Sequence, residues 1–157
     1  MGMEVEIALH VNGVATSLNV DEAAPLLHVL RNQMGLRASR FGCGLEQCGA
    51  CMVLLDGKPT YACSFLAIDA NGRDIETAES LAGHPLREAF LAEQAGQCGY
   101  CLSGILMSAK SLLDSSPAPG REAIIAALDP HLCRCGAHER IVRAVERAGR
   151  LMQEQSA

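Results

Sequence analysis

Apolar and polar residues alternate along the first part of the chain. Residues 5–11 carry an apolar side chain at every second position, residues 14–20 repeat the alternation, and Asn12-Gly13 lies between the two runs. Side chains of a strand alternate between the two faces of a sheet, and Asn-Gly strongly favours a two-residue hairpin turn. The pattern therefore predicts a β-hairpin.

The period of the pattern then changes. Residues 26–34 place apolar side chains at helical spacing, with Asp21 as a candidate N-cap and Gly35 as a candidate terminator. After a cysteine-rich loop, residues 52–63 read as a second hairpin around an Asp-Gly turn, and Ile75 lies in a short closing strand. This order of strands around one helix predicts an α+β domain.

From Thr77 onward the chain shows helical periods and no strand alternation. Thr77 is a candidate helix cap, and Pro85 is placed to begin the first of four helices. The other three are indicated by apolar residues at helical spacing within residues 102–113, 124–128 and 141–152. We therefore predict an all-α four-helix domain in this half.

The chain length of 157 residues fits two small domains, which we place at residues 1–78 and 79–157. The formal net charge is −5, and such an acidic balance gives no reason to expect a nucleic-acid partner. The N-terminal residues lack the pattern of a signal peptide, and no apolar run is long enough for a membrane span. We therefore expect a cytoplasmic location, where cysteines serve as metal ligands more often than as disulfides.

Four of the eight cysteines have a diagnostic spacing. Cys43, Cys48 and Cys51 are separated by four and then two residues, and eleven residues lie between Cys51 and Cys63. This is the ligand spacing of a plant-type [2Fe-2S] ferredoxin. The accompanying glycines, Gly42, Gly44 and Gly49, would let backbone amides approach the cluster sulfurs closely.

Structural zinc is an alternative for these cysteines, because zinc also takes four thiolates. The glycines on both sides of the ligands favour the iron-sulfur interpretation, since structural zinc sites do not need them. Disulfides are less favoured than either metal.

The helical half holds the other four cysteines. Cys98 and Cys101 lie at the start of the second predicted helix of this half, and Cys133 and Cys135 precede the fourth. Helix N-termini present free amides and a positive dipole end, which suit an anionic cluster. The single residue between Cys133 and Cys135 is an awkward span for zinc.

With both motifs in hand, almost the whole chain resembles the small iron-sulfur subunit of the molybdenum hydroxylases, the xanthine dehydrogenase and aldehyde oxidoreductase family. The resemblance rests on residues 41–51, 97–101 and 132–136. Tyrosine inside the 97–101 motif and Gly136-Ala137-His138 resemble the isoquinoline 1-oxidoreductase and nicotinate dehydrogenase subgroup most. Where many members carry Thr-Pro-Gly, this chain has Leu102-Ser103-Gly104.

The resemblance implies a β-grasp first domain, two [2Fe-2S] clusters and an electron-transfer role. A large partner subunit would carry a molybdenum-pterin cofactor and hydroxylate an N-heteroaromatic or aldehyde-type substrate. Gln97 would contact the pterin, and the thiolate of Cys135 would lie close to it. Electrons would leave through the first domain to a cytochrome c or a flavin-containing acceptor, and the complex could be cytoplasmic or peripheral to the inner membrane.

No nucleophile with a base and no carboxylate pair stands out, so we expect the isolated chain to catalyse nothing and to act as part of an enzyme complex. Two other hypotheses remain, a stand-alone ferredoxin-type electron carrier and a zinc-bound interaction module. The five histidines show no ligand spacing with one another and are interpreted as structural or surface residues.

Overall fold

The computed structural model describes residues 2–156 and shows a five-stranded sheet followed by a helical half. The strands are β1 (Glu4–Val11), β2 (Val14–Asp21), β3 (Met52–Leu55), β4 (Lys58–Tyr61) and β5 (Asp74–Glu76). Their order in the sheet is β2-β1-β5-β3-β4; β1 and β5 are parallel, and the other neighbours are antiparallel. This mixed sheet with a helix between its two hairpins is the β-grasp arrangement, so the α+β prediction is confirmed.

Both predicted hairpins are present. The first turns at Asn12 and Gly13, whose φ angles of 51° and 81° are the positive values that a type I′ turn requires. The second turns at Asp56 and Gly57 with φ angles of 50° and 78°. Asparagine, aspartate and glycine tolerate this conformation best, which is why the sequence signal is specific here.

The predicted first helix is shorter and less regular than its apolar spacing indicates. It comprises α1 (Leu26–His28) and a π-helical turn (Val29–Gln33). The N-cap prediction for Asp21 is wrong, because this residue pairs with Glu4 as the last residue of β2 and its carboxylate accepts from the amide of Ala23. The helix begins only after Pro25.

The helical half contains four α-helices, as predicted: α2 (Pro85–Ala92), α3 (Leu102–Ser115), α4 (Arg121–Leu128) and α5 (His138–Ser156). Pro85 is the first residue of α2, and the ring nitrogen of His84 accepts from the amide of Leu86. Thr77 precedes a 3₁₀ turn (Ala78–Leu81) rather than an α-helix. Apolar faces of the four helices form a core of their own, separate from the core between the sheet and α1.

Strand β3 joins the two halves because all four of its residues are buried. Val53 and Leu55 belong to the core of the sheet. Leu54, on the opposite face, packs with Leu81 and with Met107 of α3. The unbroken apolar run of β3 is typical of a strand that is covered on both faces.

We predict that Met107→Ala lowers the free energy of unfolding by about 2–5 kcal/mol, because it leaves a cavity between fully buried apolar side chains. The matched control is Leu91→Ala, which truncates a side chain that is 70% exposed and should change stability by no more than about 0.5 kcal/mol. Urea denaturation of both variants measures the difference. Equal effects would contradict the assignment of Met107 to a core between the two halves.

Candidate metal centres

The outer set consists of Cys43, Cys48, Cys51 and Cys63. The first three lie on the loop that leads into β3, and Cys63 lies two residues beyond the end of β4. Pairing of β3 with β4 brings the two segments together, since Met52 is opposite Tyr61. The structure therefore places all four thiols of this set at one end of the sheet.

Backbone amides of the loop point at the outer thiols. The amides of Leu45 and Gln47 both donate to Sγ of Cys43 at 3.3 Å, and the amide of Cys43 donates to Sγ of Cys48 at 3.4 Å. The two donors from Leu45 and Gln47 lower the pKa of the Cys43 thiol to about 7. A thiol in this environment is readily converted to the thiolate that a metal needs.

The three glycines of the first cysteine motif are all part of this loop. A Cβ atom on Gly42 would stand 2.5 Å from Sγ of Cys48, so only glycine lets the backbone pass this close to the thiol. Gly44 and Gly49 have φ angles of +67° and +73°, in the region where a side chain is strained. The loop thus curls tightly because its sequence permits it.

The inner set consists of Cys98, Cys101, Cys133 and Cys135. Cys101 is the N-cap residue of α3, and Cys133 and Cys135 lie on the turn that precedes α5. The amide of Tyr100 donates to Sγ of Cys98 at 3.5 Å and lowers its pKa. Burial acts to raise the pKa of Cys133, but amides of Ala137, Cys135 and Gly136, with the Cys101 thiol, outweigh it and leave that pKa lowered. Backbone donors therefore favour the thiolate at Cys98 and Cys133 of the inner set, as they do at Cys43 of the outer set.

Within each set the thiols form two close pairs. In the outer set, the thiol of Cys43 is within hydrogen-bonding reach of that of Cys48. The thiol of Cys51 is within the same reach of that of Cys63. In the inner set the pairs are Cys98 with Cys135 and Cys101 with Cys133.

This paired arrangement fits a [2Fe-2S] cluster, in which each of two irons takes two thiolates. Among residues 2–156, no three histidine, cysteine, aspartate or glutamate side chains are gathered in the way that a single metal ion requires. The assignment of individual ligands stays a prediction.

Burial separates the members of each set. Burial raises the pKa of Cys51 and of Cys101 to about 12, and both side chains are nearly inaccessible to solvent. Cys98, by contrast, is exposed. Each set therefore has one buried member, and the inner set also has an exposed one.

The two loops contact each other directly. The amide of Leu132 donates to the carbonyl oxygen of Cys48 at 3.1 Å, which joins an inner-set segment to an outer-set ligand. The hydroxyl of Tyr100 donates to the carbonyl oxygen of Phe41. Arg40 donates to the carbonyl oxygen of Gly99 at 2.8 Å, and its guanidinium lies 5.1 Å from the centre of the Tyr100 ring.

Sequence reasoning misses these contacts because each joins residues that are far apart in the chain. From the sequence, Tyr100 is only a mark of the subgroup, and nothing distinguishes Arg40. His131, interpreted as structural or surface, lies in the interior at 5% exposure, with Nε2 2.7 Å from Oγ of Ser108. Burial lowers the pKa of His131 to about 4, so its ring is uncharged near neutral pH.

Gln97 lies at the solvent-facing side of the inner set. Its amide nitrogen donates to the carbonyl oxygen of Cys135 at 3.2 Å, and its side chain is exposed. It also lines a groove of about 410 Å³ with Phe90, Leu91 and Leu102. The two residues predicted to meet a partner's cofactor, Gln97 and Cys135, are thus brought together at the surface.

Both halves of the chain match families of [2Fe-2S] proteins. Residues 9–82 match the family described as "2Fe-2S iron-sulfur cluster binding domain", and residues 75–146 match the "[2Fe-2S] binding domain" family. A nicotinate dehydrogenase subunit of Pseudomonas putida is 46% identical over 150 residues, which cover 93% of this chain and 96% of that protein. The alpha subunit of isoquinoline 1-oxidoreductase from Brevundimonas diminuta is 42% identical over 134 residues, which cover 83% of this chain and 88% of that protein.

The solved structure of quinoline 2-oxidoreductase from Pseudomonas putida 86 contains a similar chain. Its TM-score is 0.92 at 32% identity, with 98% of this chain and 99% of that chain covered. None of the helices within residues 2–156 combines the length and the apolar character that crossing a membrane requires.

We predict that Gly49→Ala reduces the iron content of the purified protein, because the new Cβ would meet the ring of His131 at 2.2 Å beside Cys48. Gly72→Ala is the matched control: Gly72 has the same φ angle of +73°, but no described atom lies within 4 Å of the place that its Cβ would take. Both variants carry the strain of a left-handed alanine, about 1 kcal/mol. Iron per chain measures the difference, and equal iron in the two variants would contradict the prediction.

Proposed function

The chain belongs to the [2Fe-2S] small subunits of the molybdenum hydroxylase family, and on this premise we propose that its eight cysteines hold two clusters through which electrons would pass from a large molybdenum subunit to a separate acceptor. The observation that carries the proposal is the presence of two four-thiol sets whose loops are in direct contact. A bound [2Fe-2S] cluster takes up and releases one electron at a time. In this proposal the protein holds the clusters and orients them relative to each other.

In this proposal the ligands of the two clusters are the outer and inner sets. The outer cluster would be held by Cys43, Cys48, Cys51 and Cys63, and the inner cluster by Cys98, Cys101, Cys133 and Cys135. The amide donors to Cys43 and Cys98 support it, because hydrogen bonds to cluster thiolates stabilise their charge and tune the reduction potential. The close approach at Gly42 and the positive φ angles of Gly44 and Gly49 support it as well, because they let the loop follow the cluster.

We also propose that Gln97 and Cys135 form the contact with the pterin cofactor of the large subunit. Gln97 is exposed, and its hydrogen bond to the backbone of Cys135 fixes the side chain beside an inner-set thiol. The adjacent groove is bordered by Leu91, which is 70% exposed, and offers an apolar surface to the same partner. Electrons would therefore enter the chain at the inner set.

The names of the relatives suggest the chemistry of the complex. Nicotinate, isoquinoline and quinoline are N-heteroaromatic compounds, so we propose a substrate of this class or a related aldehyde for the large subunit. The acceptor would be a cytochrome c or a flavin protein that receives electrons from the outer set. We further propose a domain boundary near residue 78, between the two cores, and a cytoplasmic location, directly or at the inner membrane through the complex.

A stand-alone ferredoxin remains the second candidate. The exposed outer loop favours it in one respect, because Leu45 is 69% exposed beside the outer thiols and could meet a diffusing partner. The helical half would then have no role in docking. Co-purification decides between them: a stable complex with a molybdenum-pterin subunit supports the relay, and a monomer that turns over with ferredoxin reductase supports the carrier.

Electron paramagnetic resonance of the reduced, anaerobically purified protein tests the cluster assignment. We expect two distinguishable signals and about four irons per chain, as two binuclear clusters require. Cys43→Ser should remove one signal and about half of the iron, while the signal of the other cluster is still present. Simultaneous loss of both signals would show that the two sets do not assemble independently, and zinc in place of iron would refute the function.

For the pterin contact, we predict that Gln97→Ala slows reduction of the clusters by substrate in the assembled complex and leaves the iron content unchanged. Gln153→Ala is the control, because Gln153 is exposed on α5 away from both cysteine sets. Stopped-flow absorbance of the clusters after substrate addition measures the rate. Identical rates in the two variants would remove Gln97 from the proposed contact.

A further inference from the structure

Three residues meet between the two cysteine sets with almost no space among them. A Cβ atom on Gly104 would stand 1.9 Å from the carbonyl oxygen of Gly49 and 3.3 Å from Cε1 of His131. A Cβ atom on Gly49 would stand 2.2 Å from Nδ1 of the same ring. The loop of the sheet domain and helix α3 are thus in backbone contact, with the imidazole packed against both. We call Gly49, Gly104 and His131 the junction.

Each member of the junction is close in sequence to candidate ligands. Gly49 directly follows Cys48, Gly104 lies three residues after Cys101 in the first turn of α3, and His131 lies two residues before Cys133. The junction therefore connects the segments that carry ligands of both sets. A displacement at this point would change the position of one set relative to the other.

The imidazole of His131 is held in place by its surroundings. Nε2 lies 2.7 Å from Oγ of Ser108, one turn further along α3, and Nδ1 is on the side of the ring that packs against the backbone of Gly49. The amide of the next residue, Leu132, donates to the carbonyl oxygen of Cys48. The hydrogen bond to Ser108 and the close packing on Gly49 together hold the ring in this position.

Resting on the proposed function, we propose that the junction sets the spacing and orientation of the two clusters, with His131 as a positioning residue that keeps the loop and α3 at a fixed distance. The rate of electron transfer between two centres falls steeply as the distance between them increases. The junction would therefore control how fast electrons pass within the chain, without any of its residues being a ligand. A purely structural role would affect assembly of the clusters but not their mutual distance.

Gly104→Ala tests this proposal in the purified protein with its iron bound. Gly120→Ala is the matched control, because Gly120 lies in the same half and no described atom is within 4 Å of its Cβ position. Two nearby paramagnetic centres split each other's resonance signals, and the splitting depends on distance and orientation. We expect Gly104→Ala to retain its iron and both individual signals but to show a reduced or lost splitting, whereas Gly120→Ala keeps that of the unsubstituted chain.

His131→Ala provides a second test that opens space instead of adding an atom. We expect the same loss of splitting with iron retained. Unchanged splitting in both variants, or loss of iron from both, would overturn the positioning role. If Gly104→Ala does not fold, the result for His131→Ala decides. Absence of two signals in the unsubstituted protein would instead refute the proposed function, so the two failures are distinguishable.

Discussion

Burial of β3 on both faces is the constraint on which the arrangement of the two halves depends. One face completes the core of the sheet, and the other packs through Leu54 on Met107 of α3. Cys51 immediately precedes β3, and Cys101 immediately precedes α3. Packing of the strand on the helix therefore brings one ligand segment from each half into contact, and the position of the cysteines follows from apolar burial.

With clusters bound as proposed, the cysteine sets would place a large negative charge in a small volume, and the backbone would offset it locally. Four thiolates around a cluster leave net negative charge, and the chain already carries a formal charge of −5. The offset would come mainly from amides that lie within hydrogen-bonding distance of Cys43, Cys98 and Cys133, and the guanidinium of Arg40 makes a smaller contribution at Cys98. Amides are fixed by the loop conformation, so the same glycine-rich geometry that wraps the site also stabilises its charge.

Much of this organisation is predictable from the sequence, and the successes share a physical cause. The hairpin at Asn12-Gly13 and the helix start at Pro85 depend on residues with narrow conformational preferences, so local sequence specifies them. The prediction of a helix N-cap at Asp21 is wrong because strand pairing with Glu4 outweighs the local preference of aspartate for that position. The cysteine sets themselves can be identified because metal-ligand spacing is specific, although which thiol binds which iron is still a prediction.

Contacts between the two halves cannot be predicted in this way. Arg40 donates to Gly99 across 59 positions of sequence, and no local pattern indicates such a partner. The burial of His131 is likewise not predictable from its position in the sequence. The same holds for its contacts with Gly49 and Gly104.

The distribution of burial within the sets argues for a protein that serves two partners. The buried members, Cys51 and Cys101, belong to different sets and lie on segments whose packing joins the halves, whereas Cys98 and the outer loop around Leu45 are open to solvent. Two accessible regions joined by a closely packed interior agree with the proposed passage of electrons through the chain. The geometry therefore agrees with the role of a subunit within an enzyme complex.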